Sequence, residues 1–235
     1  MFLLAIDTTT PVCSVALGDE DKLWGEYTLN LKNTHSQKLM PLLVSLFQET
    51  RIDKDMLQGI AVTTGPGSFT GIRIGMATAM GLAQGWGKPL VSVMTLDALA
   101  EVGAYYPILI CPLLDARKGQ VYTALYRGEK GRARMLEPAS ACFADDLLVH
   151  LESYKEKILF PGDPLERTRE KFKASLGEKY LEFPLLLLSN RASLVLKKGI
   201  QNWKELGPES PYALRPYYLR LPEAERRFKE QKKGE

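Results

Sequence analysis

Phe2-Leu3-Leu4-Ala5-Ile6-Asp7-Thr8-Thr9-Thr10-Pro11 begins as a continuous apolar run and stops at an aspartate, three threonines and a proline. A short apolar run closed by polar turn formers reads as a buried strand followed by a tight turn. The pattern returns in the second half, where the apolar stretch Ile108 to Leu114 ends at Asp115-Ala116-Arg117-Lys118-Gly119. Two strands that each end in aspartate, about a hundred residues apart, suggest that one architecture has been used twice.

The segments around each run support that reading. After the first, Val12 to Leu17 and Leu23 to Leu29 are strand candidates joined by short turns, so the chain is expected to open with an antiparallel meander. Leu39, Leu42, Leu43 and Leu46 then follow helical spacing. Thr34 and Gln37 suit a capping box at its start, while Pro41 predicts a kink or a regular helix beginning near Met40. Gly59 to Thr63 is a strand candidate, Thr64-Gly65-Pro66-Gly67-Ser68-Phe69-Thr70-Gly71 a glycine-rich turn, and a helix runs on to about Trp86, stopped by Lys88-Pro89. Leu90 to Met94 and Thr95 to Ala104 complete the half as strand and helix. The second half repeats strands at Val121 to Tyr126 and Arg132 to Glu137. Helical patterns follow at residues 143–151, 165–176 and 192–203, with short strands at 157–160 and 180–183.

The expected fold is therefore α/β and duplicated: subdomains 1–105 and 106–221, each a mixed sheet with flanking helices, meeting near Tyr105-Tyr106-Pro107. Residues 222–235 are charged and poor in apolar side chains, and read as a solvated helix end or a disordered tail. A length of 235 residues suits two domains, and 45% hydrophobic with 25% charged residues excludes disorder over most of the chain. The net charge of +3 is too mild for a surface devoted to nucleic acid phosphates. Neither a signal peptide nor a membrane helix is expected, so the chain reads as cytoplasmic. Cys13, Cys111 and Cys142 have neither disulfide nor metal-ligand spacing and read as small core residues. His35 and His150 are too few and too far apart to suggest a metal site.

Asp7-Thr8-Thr9 and Asp115 are where chemistry would sit, because hydroxyls and amides in such a turn can hold a phosphate while the carboxylate orients a metal or water. The same residues are ordinary turn formers, which is the plainer reading. Two halves that open this way resemble the actin, hexokinase and Hsp70 superfamily (the ASKHA fold), in which ATP binds between the halves. Here Asp115 is followed by Ala-Arg-Lys-Gly rather than a glycine-rich turn, and Pro161-Gly162-Asp163-Pro164 stands where an adenosine loop is expected. Without permissive glycines the backbone cannot approach a ligand closely, so tight ATP binding is not expected. A weak affinity for ATP or ADP is left open. The glycine-rich turn 64–71 is neither a Walker loop nor a dinucleotide fingerprint, and reads as structural.

Gly71, Gly75, Ala79 and Ala83 recur every four residues, flanked by Ile72, Met76 and Met80. Such a stripe lets another helix approach closely, yet small residues also seat a helix on its own sheet. The leucine face of Leu39, Leu42, Leu43 and Leu46 beside it turns the reading toward a paired apolar surface for association.

Ile6-Asp7-Thr8-Thr9, His35-Ser36-Gln37, the string Thr64 to Arg73, Asp115-Ala116-Arg117 and Pro216-Tyr217-Tyr218-Leu219-Arg220 are similar to the TsaB family. The resemblance covers most of the chain and weakens between about residues 128 and 210. It implies a non-catalytic scaffold that binds its paralogue TsaD, joined by the ATPase TsaE. The complex transfers threonylcarbamoyl to the adenosine beside the anticodon of tRNAs reading A-starting codons. TsaD proteins hold a metal with two histidines four residues apart; here Leu39 stands four after His35, so neither a metal nor a catalytic residue is expected. The resemblance places the pairing surface on residues 35–49 and 70–86, with His35 as a helix-start or interface residue. It also allows a homodimer through the same helices when TsaD is missing, with tRNA met only through the complex and no membrane involved. The rival reading is an ATP-dependent small-molecule kinase of the same superfamily using Asp7 or Asp115.

Overall fold

The computed structural model describes residues 1–30, 35–164, 166–181, 184 and 189–220. Thr34 of the expected capping box, Leu165 at an expected helix start, Glu182 and Phe183 of an expected strand, and the tail 222–235 lie outside them.

The opening run forms β1 (Leu3–Asp7), buried at every position. Strand side chains alternate, so Leu4 and Ile6 enter one apolar cluster while Leu3 and Ala5 enter another on the opposite face. A strand covered on both sides has no polar face to show, which is why its sequence is uninterrupted in hydrophobicity. β2 (Val12–Gly18) and β3 (Leu23–Asn30) complete the expected meander, pairing antiparallel with Ile6 opposite Val15 and Val15 opposite Tyr27. On the other side of β1, β4 (Gly59–Gly65) pairs in parallel and β5 (Leu90–Met94) follows it, giving the order β3-β2-β1-β4-β5.

α1 (His35–Thr50) is a single helix in which Pro41 sits on the exposed side. α2 (Phe69–Trp86) starts at Ser68, whose hydroxyl accepts the Gly71 amide, and ends at Gly87 in the left-handed region at φ 63°. Both cover the Leu4/Ile6 face. Thr95–Ala100 forms α3, after which the expected helix tightens into a 3-10 turn at Glu101–Gly103.

The second sheet repeats the plan. The run 108–114 is split by Cys111-Pro112 into β6 (Leu109–Ile110) and β7 (Leu113–Asp115), both antiparallel to β8 (Gln120–Glu129). β9 (Arg132–Phe143) pairs with β8, longer than expected. β10 (Ile158–Leu159) and β11 (Gly162–Asp163) add in parallel beside β6 and β7. α4 (Ala144–Glu152) and α5 (Glu166–Leu176) cover one face through Leu147, Leu151, Phe172 and Leu176. Of the strand expected at 180–183, Tyr180 makes one parallel bridge to Ile158.

The expected boundary needs correction. α6 (Ala192–Leu206) falls in the segment assigned to the second subdomain, yet Val195, Leu196 and Ile200 pack on Leu3, Ala5, Ala61 and Val91 of the first sheet. A Cβ on Gly199 would lie 2.6 Å from that of Ala61, so the helix sits directly on the strands. The first sheet's second face is apolar; α1 and α2 are already committed to the first face and the six-residue α3 covers only part of the second, so the chain returns to close it. α3 is shared: Ala98 faces that same cluster, while Leu96 and Leu99 pack on Ile110 and Tyr126 of the second sheet. Across this junction the Tyr126 hydroxyl donates to Asp97 at 2.7 Å, and within the first half Lys197 of α6 pairs with the buried Glu101 at 2.9 Å.

Candidate functional site

Asp7 ends β1 with no exposed surface. Its Oδ1 accepts the Thr9 amide (2.9 Å), the Thr9 hydroxyl (2.7 Å) and the Thr63 hydroxyl (2.8 Å), and its Oδ2 accepts the Asn190 amide at 2.5 Å. Burial pushes the carboxyl above its ordinary range, and the hydrogen bonds from Thr9, Thr63 and Asn190 pull against it. Four donors leave this carboxylate no free face for water or a metal.

The glycine-rich string lies on that turn. Ser68 donates its amide to the Thr9 carbonyl at 2.7 Å, and the Thr8 hydroxyl donates to the Gly71 carbonyl at 2.6 Å. A Cβ on Gly67 would stand 2.2 Å from the Thr9 carbonyl oxygen, and one on Gly71 2.0 Å from that of Thr8. Both positions are therefore restricted to glycine by contact, and the space a phosphate would need above Thr8 and Thr9 is occupied by backbone. His35, the first residue of α1, donates Nε2–H to the Thr10 carbonyl at 2.8 Å and holds the helix start on the same turn.

The pairing surface needs correction residue by residue. Gly71, Ile72, Gly75, Met76, Ala79 and Ala83 are buried, as are Leu39, Leu43 and Leu46; Leu42 and Met80 are partly buried against the same core. This stripe seats α2 on its own sheet, with Gly75 facing the Thr8 hydroxyl. The faces that point outward are one phase over. On α1 they carry Met40 (46% exposed) and Val44 (50% exposed). On α2 a second small-residue stripe, Ala77, Gly81 and Gly85, is exposed, and a Cβ on Gly81 or Gly85 would meet nothing within 4 Å. The signal that separates the stripes was in the sequence: Ile72 and Met76 flank the inner one, whereas Arg73 and Gln84 flank the outer.

The second aspartate turn has a different character. Asp115 is exposed and its Oδ1 accepts the Arg117 amide at 2.9 Å. Arg117 and Lys118 are both left-handed, at φ 64° and 54°, ahead of Gly119 at 76°. Two consecutive non-glycine residues in that region are costly. The C-terminal segment then crosses between the halves. Tyr217 donates its amide to the Thr64 carbonyl at 2.8 Å, Tyr218 packs tilted against Phe69 with ring centroids 4.9 Å apart, and Arg220 donates to the Ala116 carbonyl. Gly65, at φ 115°, leaves room for the Tyr217 carbonyl, which a Cβ would approach to 2.6 Å. These elements enclose a cleft of about 840 Å³ between the two sheets, walled by Thr10, His35, the 66–71 loop, the 114–118 turn and the strap 217–220. The sequence patterns gave no sign that the chain's end returns to the glycine loop.

Among the described residues, no three His, Cys, Asp or Glu side chains converge as a metal-binding group. Cys13 and Cys111 are buried and Cys142 partly so. His150 sits at the surface with Glu137 at 2.9 Å, and Leu39, four residues after His35, is core. No helix among the described residues is long and apolar enough to cross a membrane.

The family model described as "TsaD: tRNA N6-adenosine threonylcarbamoyltransferase" matches residues 25–183. The tRNA threonylcarbamoyladenosine biosynthesis protein TsaB of Bacillus subtilis strain 168 is 35% identical over 233 residues, 99% of this chain and 100% of that one. Among solved structures, a Pseudomonas aeruginosa protein described as similar to peptidase YEAZ superposes with a TM-score of 0.76 at 24% identity, over 93% of this chain and 99% of the other. The activator of 2-hydroxyisocaproyl-CoA dehydratase from Clostridium difficile, solved with bound ADPNP, shares the fold at a TM-score of 0.52 and 8% identity, covering 87% and 96%. The architecture is the duplicated α/β fold of the actin, hexokinase and Hsp70 type.

Proposed function

The chain belongs to the TsaB family of tRNA threonylcarbamoyladenosine biosynthesis proteins, and from that premise we propose that it is a non-catalytic subunit that binds TsaD and supports threonylcarbamoyl transfer, with TsaE joining the assembly. The carrying observation is the outward face of α1 and α2. On α1 Met40 and Val44 are about half exposed, and on α2 Ala77, Gly81 and Gly85 are exposed, a helix surface without Cβ atoms at two positions. Small residues let a partner helix approach closely and exposed apolar side chains reward the contact. The enclosed Asp7 supports the non-catalytic part, since a kinase would need that carboxylate open to metal or substrate. In this reading tRNA is met through the complex, the same face pairs two copies when TsaD is missing, and the site of action is the cytoplasm.

The test is to replace Gly81 or Val44 by arginine. Neither side chain is enclosed, so the monomer should keep its melting temperature while co-purification with TsaD and reconstituted tRNA modification are lost. Full binding by both folded variants would remove this surface from consideration.

A further inference from the structure

The outward stripe of α2 does not end in small residues. Arg73, Ala77, Gly81 and Gly85 recur every four positions and all four are exposed, so one guanidinium stands at the head of an otherwise small-residue stripe. Two aromatic residues fix its posture. The guanidinium carbon lies 3.8 Å from the centre of the Phe69 ring, and Nε–H donates to the Tyr218 hydroxyl at 3.2 Å. Tyr218 in turn packs against Phe69 with ring centroids 4.9 Å apart. Stacking uses the face of the guanidinium and Tyr218 takes the Nε hydrogen, which leaves both η nitrogens for another acceptor. Among the described residues neither η nitrogen has a hydrogen-bond partner, and no carboxylate lies at ion-pair distance of Arg73.

The surroundings supply no compensation. Neither α1 nor α2 carries an acidic residue in its first turn, and the two helices begin on the same support, since His35 and Ser68 both bond to the turn after β1. Lys38, near the start of α1, is exposed as well. Two cations thus stand near helix starts that already carry partial positive charge. A partner helix seated against Ala77, Gly81 and Gly85 would strip water from Arg73, and a desolvated guanidinium without an anion opposes the contact. We infer that Arg73 is a specificity-determining residue of this face: it takes an Asp or Glu carboxylate of the partner helix, which accepts from both η nitrogens, and Tyr218 is the positioning residue that holds it. The inference rests on the partner reading above and adds to it the chemistry that TsaD presents at this point.

The test is calorimetry of TsaD binding to the full chain at low and high salt, with the melting temperature of each variant recorded beside it. Arg73→Gln is expected to weaken binding by roughly tenfold at low salt and to flatten its salt dependence, with Arg73→Lys falling between parent and Gln. Tyr218→Phe keeps the ring on Phe69 and removes the acceptor. It is expected to weaken the parent by roughly threefold and to add nothing in the Arg73→Gln background. A group that only pins the strap to α2 would lower the melting temperature in all three variants and leave the salt dependence as it was, which overturns the inference. Gly81→Arg separates the two levels. If it abolishes binding while Arg73→Gln leaves the affinity unchanged, the face stands and the carboxylate contact falls; if neither variant affects binding, the face falls and the inference with it. Sedimentation of the chain without TsaD covers the remaining occupant: self-association lost in Arg73→Gln, with TsaD binding intact, would assign Arg73 to the pairing of two copies and likewise overturn the inference.

Discussion

Asp7 shows how a residue that looks catalytic becomes structural. Its carboxylate accepts four hydrogen bonds, and Asn190 donates one of them while its own Oδ1 is buried without a partner. Burial raises the folded-state pKa above the ordinary 3.8. A group raised in this way stabilises the fold below its unfolded value and loses that contribution as pH rises through the folded value. Ionised Asp7 is therefore a cost near neutrality. Asp7→Asn should melt at the same temperature as the parent or higher near pH 7, since Asn190 can turn its amide and accept from the new side chain. The parent should gain relative to the variant as pH falls toward about 4. Thermal melts of both proteins across that range check the sign; a large loss at neutral pH would contradict it.

α2 carries two small-residue stripes with opposite duties. Gly75 faces the Thr8 hydroxyl, which a Cβ would approach to 2.4 Å, whereas a Cβ on Gly85 would meet nothing within 4 Å. Alanine relieves the backbone entropy cost of helical glycine, worth about 0.5–1 kcal/mol, wherever it fits. Gly85→Ala should stabilise by about that amount, and Gly75→Ala should destabilise by roughly 1–3 kcal/mol as helix and turn are forced apart. Urea denaturation of the two variants reads both signs; equal effects would mean that the stripes are not distinguished by packing. Ala79, on the inner stripe and fully buried, cannot probe association, because arginine there would break the core first.

The whole molecule is held together by a chain that leaves the first sheet and comes back. Gly59 lies against Trp203 of α6, Glu209 bridges to Leu90 at the sheet edge, and Tyr217 reaches Thr64. Residues 1–105 alone would expose the Leu3, Ala5, Ala61 and Val91 face to water. That fragment should show collapsed, poorly dispersed NMR spectra, and fusing residues 189–220 to its end should restore dispersion. A well-dispersed spectrum from 1–105 by itself would show that α6 is an accessory. The Tyr126 hydroxyl on Asp97 and the Ala133 amide on Glu101 add polar links between the halves, leaving the cleft framed by a joined scaffold.

The sequence by itself determined the elements and their repetition. Uninterrupted runs ending at Asp7 and Asp115 mark strands covered on both faces, and period-four leucines and glycines mark α1 and α2, because local burial writes its periodicity into the chain. Only the tertiary structure decided which way those helices face, that Asp7 is sealed by Asn190 from 183 positions away, that α6 belongs to the first sheet, and that the strap crosses between the halves. The physical reason is the same in each case. Periodicity records that a face is covered but not by what, and the covering groups here come from distant segments whose own patterns carry no address.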